Sequence, residues 1–134
     1  MKVVADTGVL VEVLEDSKLG EKFIQLVNSG KLEPIITNLT LIELTYIVCR
    51  KYGIDKAREL VKKLLDSGYF EIVNAFDFAD EIVEIKCNNS LSIIDTSAIA
   101  TAKGLGISAL FKMEKELKDK NLNNLIFIDN IDDI

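Results

Sequence analysis

The sequence predicts an α/β protein whose largely parallel sheet is covered by helices on both faces. Three observations predict it. Short apolar runs of strand character alternate with segments of helical periodicity along the whole chain. Glycine and serine stops close most of the helical segments. The first apolar run, Val3-Val4-Ala5, ends on an acid, Asp6, at the carboxyl end of a buried strand, which is where open α/β sheets place their ligand crevice.

Each element has its own signal. Lys2 to Ala5 reads as the first strand, followed by an apolar-rich helix near Thr7 to Glu15 and a second near Lys18 to Asn28, with Phe23, Ile24 and Val27 facing inward. Ser29-Gly30 supplies the stop, because glycine readily takes the left-handed conformation that ends a helix. Leu32 to Thr37 reads as a short strand, and Pro34, with no N–H to donate, suits a sheet edge. A long helix runs from Leu39 to Tyr52 and ends at Gly53. Another from Asp55 to Asp66 sets Ala57, Leu60, Val61, Leu64 and Leu65 on one face, ahead of Ser67-Gly68. Tyr69 to Val73 is a strand, Asp77 to Lys86 a helix, and Asp95 to Lys103 a helix that ends around Gly104 and Gly106. Ile107 to Phe111 is a strand, Met113 to Lys118 a short helix, and Leu125 to Ile128 the last strand. With 134 residues, one proline and no internal repeat, a single domain over residues 1–134 is expected.

Composition narrows the chemistry. Histidine is absent, which removes Ser-His-Asp and Cys-His catalysis together with histidine metal sites. Hydrolysis here has to run on carboxylates with an oxygen-preferring cation. Cys49 and Cys87 have no paired spacing and read as buried free thiols of a reducing cytoplasm. No apolar run approaches a membrane span, so a cytoplasmic protein is expected. The net charge of −6 argues against indiscriminate nucleic-acid binding. Two basic stretches remain, Arg50 to Lys63 and Lys112 to Lys120; helix-surface pairs such as Glu59 with Lys63 account for most of them, with phosphate contact the alternative.

Three acids stand out. Asp6 either caps the helix that follows it or belongs to a site. Glu43 is the one charge in Leu39 to Val48, with Leu39, Thr40, Tyr46 and Ile47 as helical neighbours and no basic partner one turn away, so its carboxylate is desolvated unless a cation meets it. Asp95 opens a helix of small residues behind two isoleucines that place it at a buried end, although an acid there is often only a cap. Two carboxylates about 4 Å apart at an effective dielectric of about 20 repel by about 4 kcal/mol. Clustering therefore calls for a shared proton or a divalent cation.

Together these segments resemble the PIN-domain family of metal-dependent ribonucleases, which includes the VapC-type toxins. The resemblance spans essentially the whole chain. It rests on Val3-Val4-Ala5-Asp6-Thr7, on Ile35-Ile36-Thr37 through Ile42-Glu43-Leu44, and on Asp95 through Ala102 with Gly106 and the strand to Phe111. Where the family has Thr-x-Asp after that strand, this chain reads Lys112-Met113-Glu114; Glu114 falls at the aspartate position and Asp119 is a less suited substitute. Gly8 stands where the family often has a small polar residue.

The resemblance implies a three-layer α/β/α sandwich whose acidic crevice, formed by Asp6, Glu43, Asp95 and Glu114, holds Mg²⁺ or Mn²⁺ and hydrolyses RNA. It implies Thr7, Thr96 and Ser97 as residues supporting those ligands, and Lys112 and Arg50 as contacts to the RNA. An antitoxin partner and a homodimer, with the helices from Tyr46 to Leu65 as its surface, are further expectations. The rival reading is a catalytically weak or inactive PIN-like module that binds another protein, favoured by the altered fourth motif and the acidic surface. Asp6-Thr7-Gly8 also spells the aspartic-protease triplet, but that chemistry needs two such aspartates on an all-β scaffold. A haloacid-dehalogenase-type phosphatase wants an acid where Gly8 stands, and a receiver domain wants adjacent acids after its first strand.

Overall fold

A computed structural model of the chain describes residues 1–120 and 122–132. Five short strands, β1 (Lys2–Ala5), β2 (Glu33–Thr37), β3 (Glu71–Val73), β4 (Ser108–Phe111) and β5 (Leu125–Phe127), form one sheet in the order β3-β2-β1-β4-β5. Every pairing is parallel. The chain builds outward from β1 to one edge, then returns to place β4 on the other side of β1. The reversal lies between β1 and β4, and a parallel sheet opens its ligand crevice at the carboxyl ends of such strands.

Alternation along the strands sorts the core into two layers. Val4, Ile35, Ala109 and Phe111 face one way, into a cluster with Ile82 and Ile85 of α5 (Ala79–Asn88) and Ala98, Ile99 and Ala102 of α6 (Ile93–Leu105). Val3, Ala5, Ile36 and Leu110 face the other way. There they meet α1 (Thr7–Leu14), α2 (Lys18–Asn28), α3 (Asn38–Tyr52) and α4 (Ile54–Asp66). Residues this apolar on both faces explain why the strands read as continuous hydrophobic runs. The remaining elements are 3-10 turns at Ala75–Phe78 and Ile128–Asn130 and a one-turn helix, α7 (Lys115–Lys118).

Two glycines are required by packing and geometry. A Cβ on Gly20 would lie 2.2 Å from the Glu12 carbonyl oxygen, so α1 and α2 touch backbone to backbone at a point where any side chain intrudes. Gly106, at φ 71°, takes the left-handed conformation that ends α6.

Several sequence expectations are corrected. β2 is an inner strand, and Pro34 is tolerated because it pairs only toward Val3 of β1; the ladder to β3 begins one residue later, at Ile35 with Glu71. Residues 75–78 form a 3-10 turn, so the helix expected from Asp77 begins at Ala79. Asp95 does not open its helix, which starts at Ile93, and Ile93 is 51% exposed rather than buried. Cys87 is exposed and Cys49 half-buried, and both are free. Among the described residues no helix is long and apolar enough to cross a membrane.

Candidate active site

Asp6 is a helix cap whose carboxyl also feels two further acids. The strand hands it over directly, since its N–H still donates to the Leu110 carbonyl of β4 at 2.9 Å. Its extended backbone then makes it the N-cap of α1, where Oδ2 accepts the Gly8 N–H at 3.2 Å. The other oxygen, Oδ1, is buried without a hydrogen-bond partner. The residue is only 7% exposed. Burial pushes its pKa up to about 8, with the charge of Asp95 adding to the rise and that of Glu43 adding less.

The other acids reach the same place from different elements. Glu43 sits half-buried in α3, which begins immediately after β2 because Thr37, the last strand residue, caps it by accepting the Thr40 N–H at 3.1 Å. Asp95 is the third residue of α6. The cap there is Ser92, whose Oγ accepts the Asp95 N–H at 3.0 Å, and the same hydroxyl helps hold down the Asp95 pKa. Burial raises that pKa nonetheless, and the charges of Glu114 and Glu43 raise it further. Glu114 is exposed, in the loop between β4 and α7.

The charges of Asp95 and Glu43 act on Asp6, and those of Glu114 and Glu43 act on Asp95, so the four acids are neighbours near the carboxyl ends of β1 and β4. Asp119, at the far end of α7, does not figure among the charges acting on Asp6 or Asp95. Arg50 is exposed seven residues beyond Glu43 on the same face of α3, about 10 Å along the axis, and so lies outside the crevice. The Thr7 hydroxyl is buried without a partner. Thr96 and Ser97 are fully buried and donate to carbonyls of their own segment, those of Ser92 and Ile94, each at 2.7 Å.

Lys112 leaves β4 and pairs with Glu12 of α1 at 2.6 Å. Sequence reading missed Glu12, yet its signal equals that of Glu43, since it is the one acid in the apolar run Val9 to Leu14. Asp129 was missed as well. Its Oδ2 accepts the Met113 N–H at 2.7 Å, and no local pattern announces that contact. A cavity of about 620 Å³ lies at the opposite end of the sheet, between Lys2, Glu33 and Glu71, and has no concentration of like charge.

The donor set suits a hard divalent cation. It is all carboxylate oxygen, and one oxygen, Asp6 Oδ1, is buried and unsatisfied. Among the described residues no three His, Cys, Asp or Glu side chains are already drawn within metal-holding reach. The side chains with length to adjust toward an ion are Glu43 and Glu114.

The fold and these acids define an α/β protein with a carboxylate crevice at the reversal point of a parallel sheet. The PIN-domain family model matches residues 3–121, and the chain belongs to that family, whose members are typically metal-dependent nucleases. No curated protein matches the sequence. Among solved structures, DNA-bound VapBC from Salmonella typhimurium is similar at TM-score 0.72 and 14% identity, covering 96% of this chain and 98% of that one. VapBC2 from Rickettsia felis bound to a promoter DNA fragment is similar at TM-score 0.70 and 16% identity, covering 95% and 97%. The sarcin-ricin loop cleaving toxin VapC20 from Mycobacterium tuberculosis is similar at TM-score 0.69 and 16% identity, covering 91% and 97%. At these identities the likeness establishes the fold alone.

Proposed function

We propose that this chain is a Mg²⁺- or Mn²⁺-dependent endoribonuclease that hydrolyses RNA phosphodiester bonds and serves as the toxin of a toxin–antitoxin pair. The observation that supports it most is Asp6: a buried carboxyl with one unpartnered oxygen, raised to about 8 by burial and by two further acids. A carboxyl so placed is costly to fold around unless a cation uses it.

In this reading Asp6, Glu43 and Asp95 hold the ion, with Glu114 reaching in from the rim. Once bound, the ion supplies Lewis acidity toward the phosphoryl oxygen and an activated water. The residues of the chain do the rest. Asp6 would serve such an ion as a carboxylate, its proton passing to solvent. Thr7, next to it, is the hydroxyl free to support the Asp6 carboxylate, while Thr96 and Ser97 fix the start of α6 and so the position of Asp95. Lys112 and Arg50 offset the repulsion between an acidic crevice and a polyanion.

The structural neighbours are toxin–antitoxin complexes, which supports an antitoxin partner for this chain. Exposed Ile42, Tyr46 and Ile47 on α3, with Tyr52 and Ile54 at the next corner, support a homodimer. The free thiols of Cys49 and Cys87 are consistent with a reducing cytoplasm. A second reading, a protein-binding module with little activity, is favoured by the absence of a gathered three-ligand group among the described residues. Titration of Mn²⁺ and Mg²⁺ into wild type and Asp95→Asn, with RNA cleavage followed on the same samples, decides between them. Ion binding and cleavage that both vanish in the variant are expected; a wild type that neither binds the ion nor cuts RNA establishes the second reading.

A further inference from the structure

Gly8 and Lys112, two departures from the family pattern, are neighbours in the fold. A Cβ built on Gly8 would lie 3.5 Å from Asp6 Oδ2 and 3.9 Å from Lys112 Cδ. The lysine stem and the Asp6 carboxylate thus both border the bare backbone of Gly8. Its ammonium is held 2.6 Å from Glu12 Oε1. The Glu12 side chain is 16% exposed and that of Lys112 40%, so the anchor is sunk into the protein and the cation faces solvent. The bond shifts both groups toward their charged forms, lowering the pKa of Glu12 and raising that of Lys112. The peptide that follows is fixed as well, because the Met113 N–H donates to Asp129. Lys112 is thus tied at its tip and at its backbone, and its charge does not figure among the influences on Asp6 or Asp95. It is an ordered cation at the edge of the acidic crevice, held mainly by Glu12 and favoured further by the charges of Asp129 and Glu114.

The geometry points to Lys112 as a phosphate clamp for the RNA strand where it passes over Gly8 beside the crevice, and to Glu12 as the positioning residue that holds the clamp ready. The assignment rests on the ribonuclease reading above. A lysine carries three N–H donors and Glu12 uses one, so a phosphate oxygen is met without breaking the pair. Holding the long side chain in place before the RNA arrives removes part of the ordering cost of binding.

The test is fluorescence anisotropy of a labelled single-stranded 12-mer RNA pool of mixed sequence, with Ca²⁺ as the only divalent cation, over a series of salt concentrations. Lys112→Ala is expected to weaken binding about fivefold, the scale of one partly exposed ion pair. Its log–log salt slope should become shallower by about 0.7, the value for one phosphate contact on a single strand. Glu12→Ala is expected to weaken binding about threefold, by loss of part of that ordering. Glu12→Gln, which keeps an acceptor for the ammonium, recovers most of the loss. Wild-type binding and salt slope retained in Lys112→Ala overturns the clamp. Tighter binding by both Glu12 variants makes Glu12 a competitor for the ammonium and overturns the positioning role. A wild type with no affinity for the RNA pool sinks the ribonuclease reading itself, and the clamp with it.

Discussion

Replacing Asp6 with asparagine is expected to stabilise the metal-free protein. At pH 7 the unfolded chain ionises Asp6, whose ordinary value is 3.8, while the fold raises it to about 8 and keeps it protonated. Folding then takes up a proton, so this residue's contribution to stability falls as pH rises from about 4 to about 8. Roughly three pH units at about 1.4 kcal/mol each amount to about 4 kcal/mol of destabilisation at pH 7. Part of the rise is repulsion from Asp95 and Glu43, which a proton shared within the group relieves; halving the figure leaves about 2 kcal/mol. For a domain of this size that is about 8 °C in melting temperature. Asparagine caps a helix as well as aspartate does, so the bond from the Gly8 N–H survives the change. Thermal melts of wild type and Asp6→Asn in EDTA, from pH 4 to pH 8, should show a gap near zero at pH 4 that widens in favour of the variant. Added Mn²⁺ should reverse the order, because only wild type gains from binding it. A gap that does not change with pH, or a variant less stable than wild type at pH 8, would refute the reasoning.

Two other outcomes are expected. Mn²⁺ binding at pH 7 should release about one proton, so titration heats measured in two buffers of different ionisation enthalpy should differ, with affinity rising toward pH 8; equal heats would mean that Asp6 is already ionised or not a ligand. Gly20→Ala should cost about 3 kcal/mol in urea denaturation, the upper end for overpacking, because its methyl meets the Glu12 carbonyl at 2.2 Å; a neutral effect would show that α1 can slide away from α2.

Much of the fold was legible because local signals and tertiary packing agree. Val3 to Ala5 is buried on both faces and reads as a strand by composition alone, and α2 ends at Ser29 as its sequence suggests. The strand order was not legible, since nothing in β4 says that it pairs with β1 rather than with β3. That hidden order is also why Pro34 suggested an edge. Of the candidate acids, Asp6, Glu43 and Asp95 stand out in the sequence as lone acids in apolar surroundings. The displaced start of α6 was misread because an aspartate and a serine make equally good caps, and Ser92 won. Glu12 with Lys112 and Asp129 with Met113 join residues distant in sequence or separated by turns, and such pairings have no periodicity to betray them.

The pairing of β1 with β4 also has a temporal side. Asp6 leaves the ribosome well before the strand beside it and the loop bearing Glu114, which follow only after α1 to α6. Until then β1 has an open flank of unpaired backbone groups, an invitation to wrong partners that nascent chains and truncated fragments share. Contacts this far apart in sequence are also slow to form. The four acids come to neighbouring positions only when β4 has joined β1, so the crevice is among the last features of the fold to be completed.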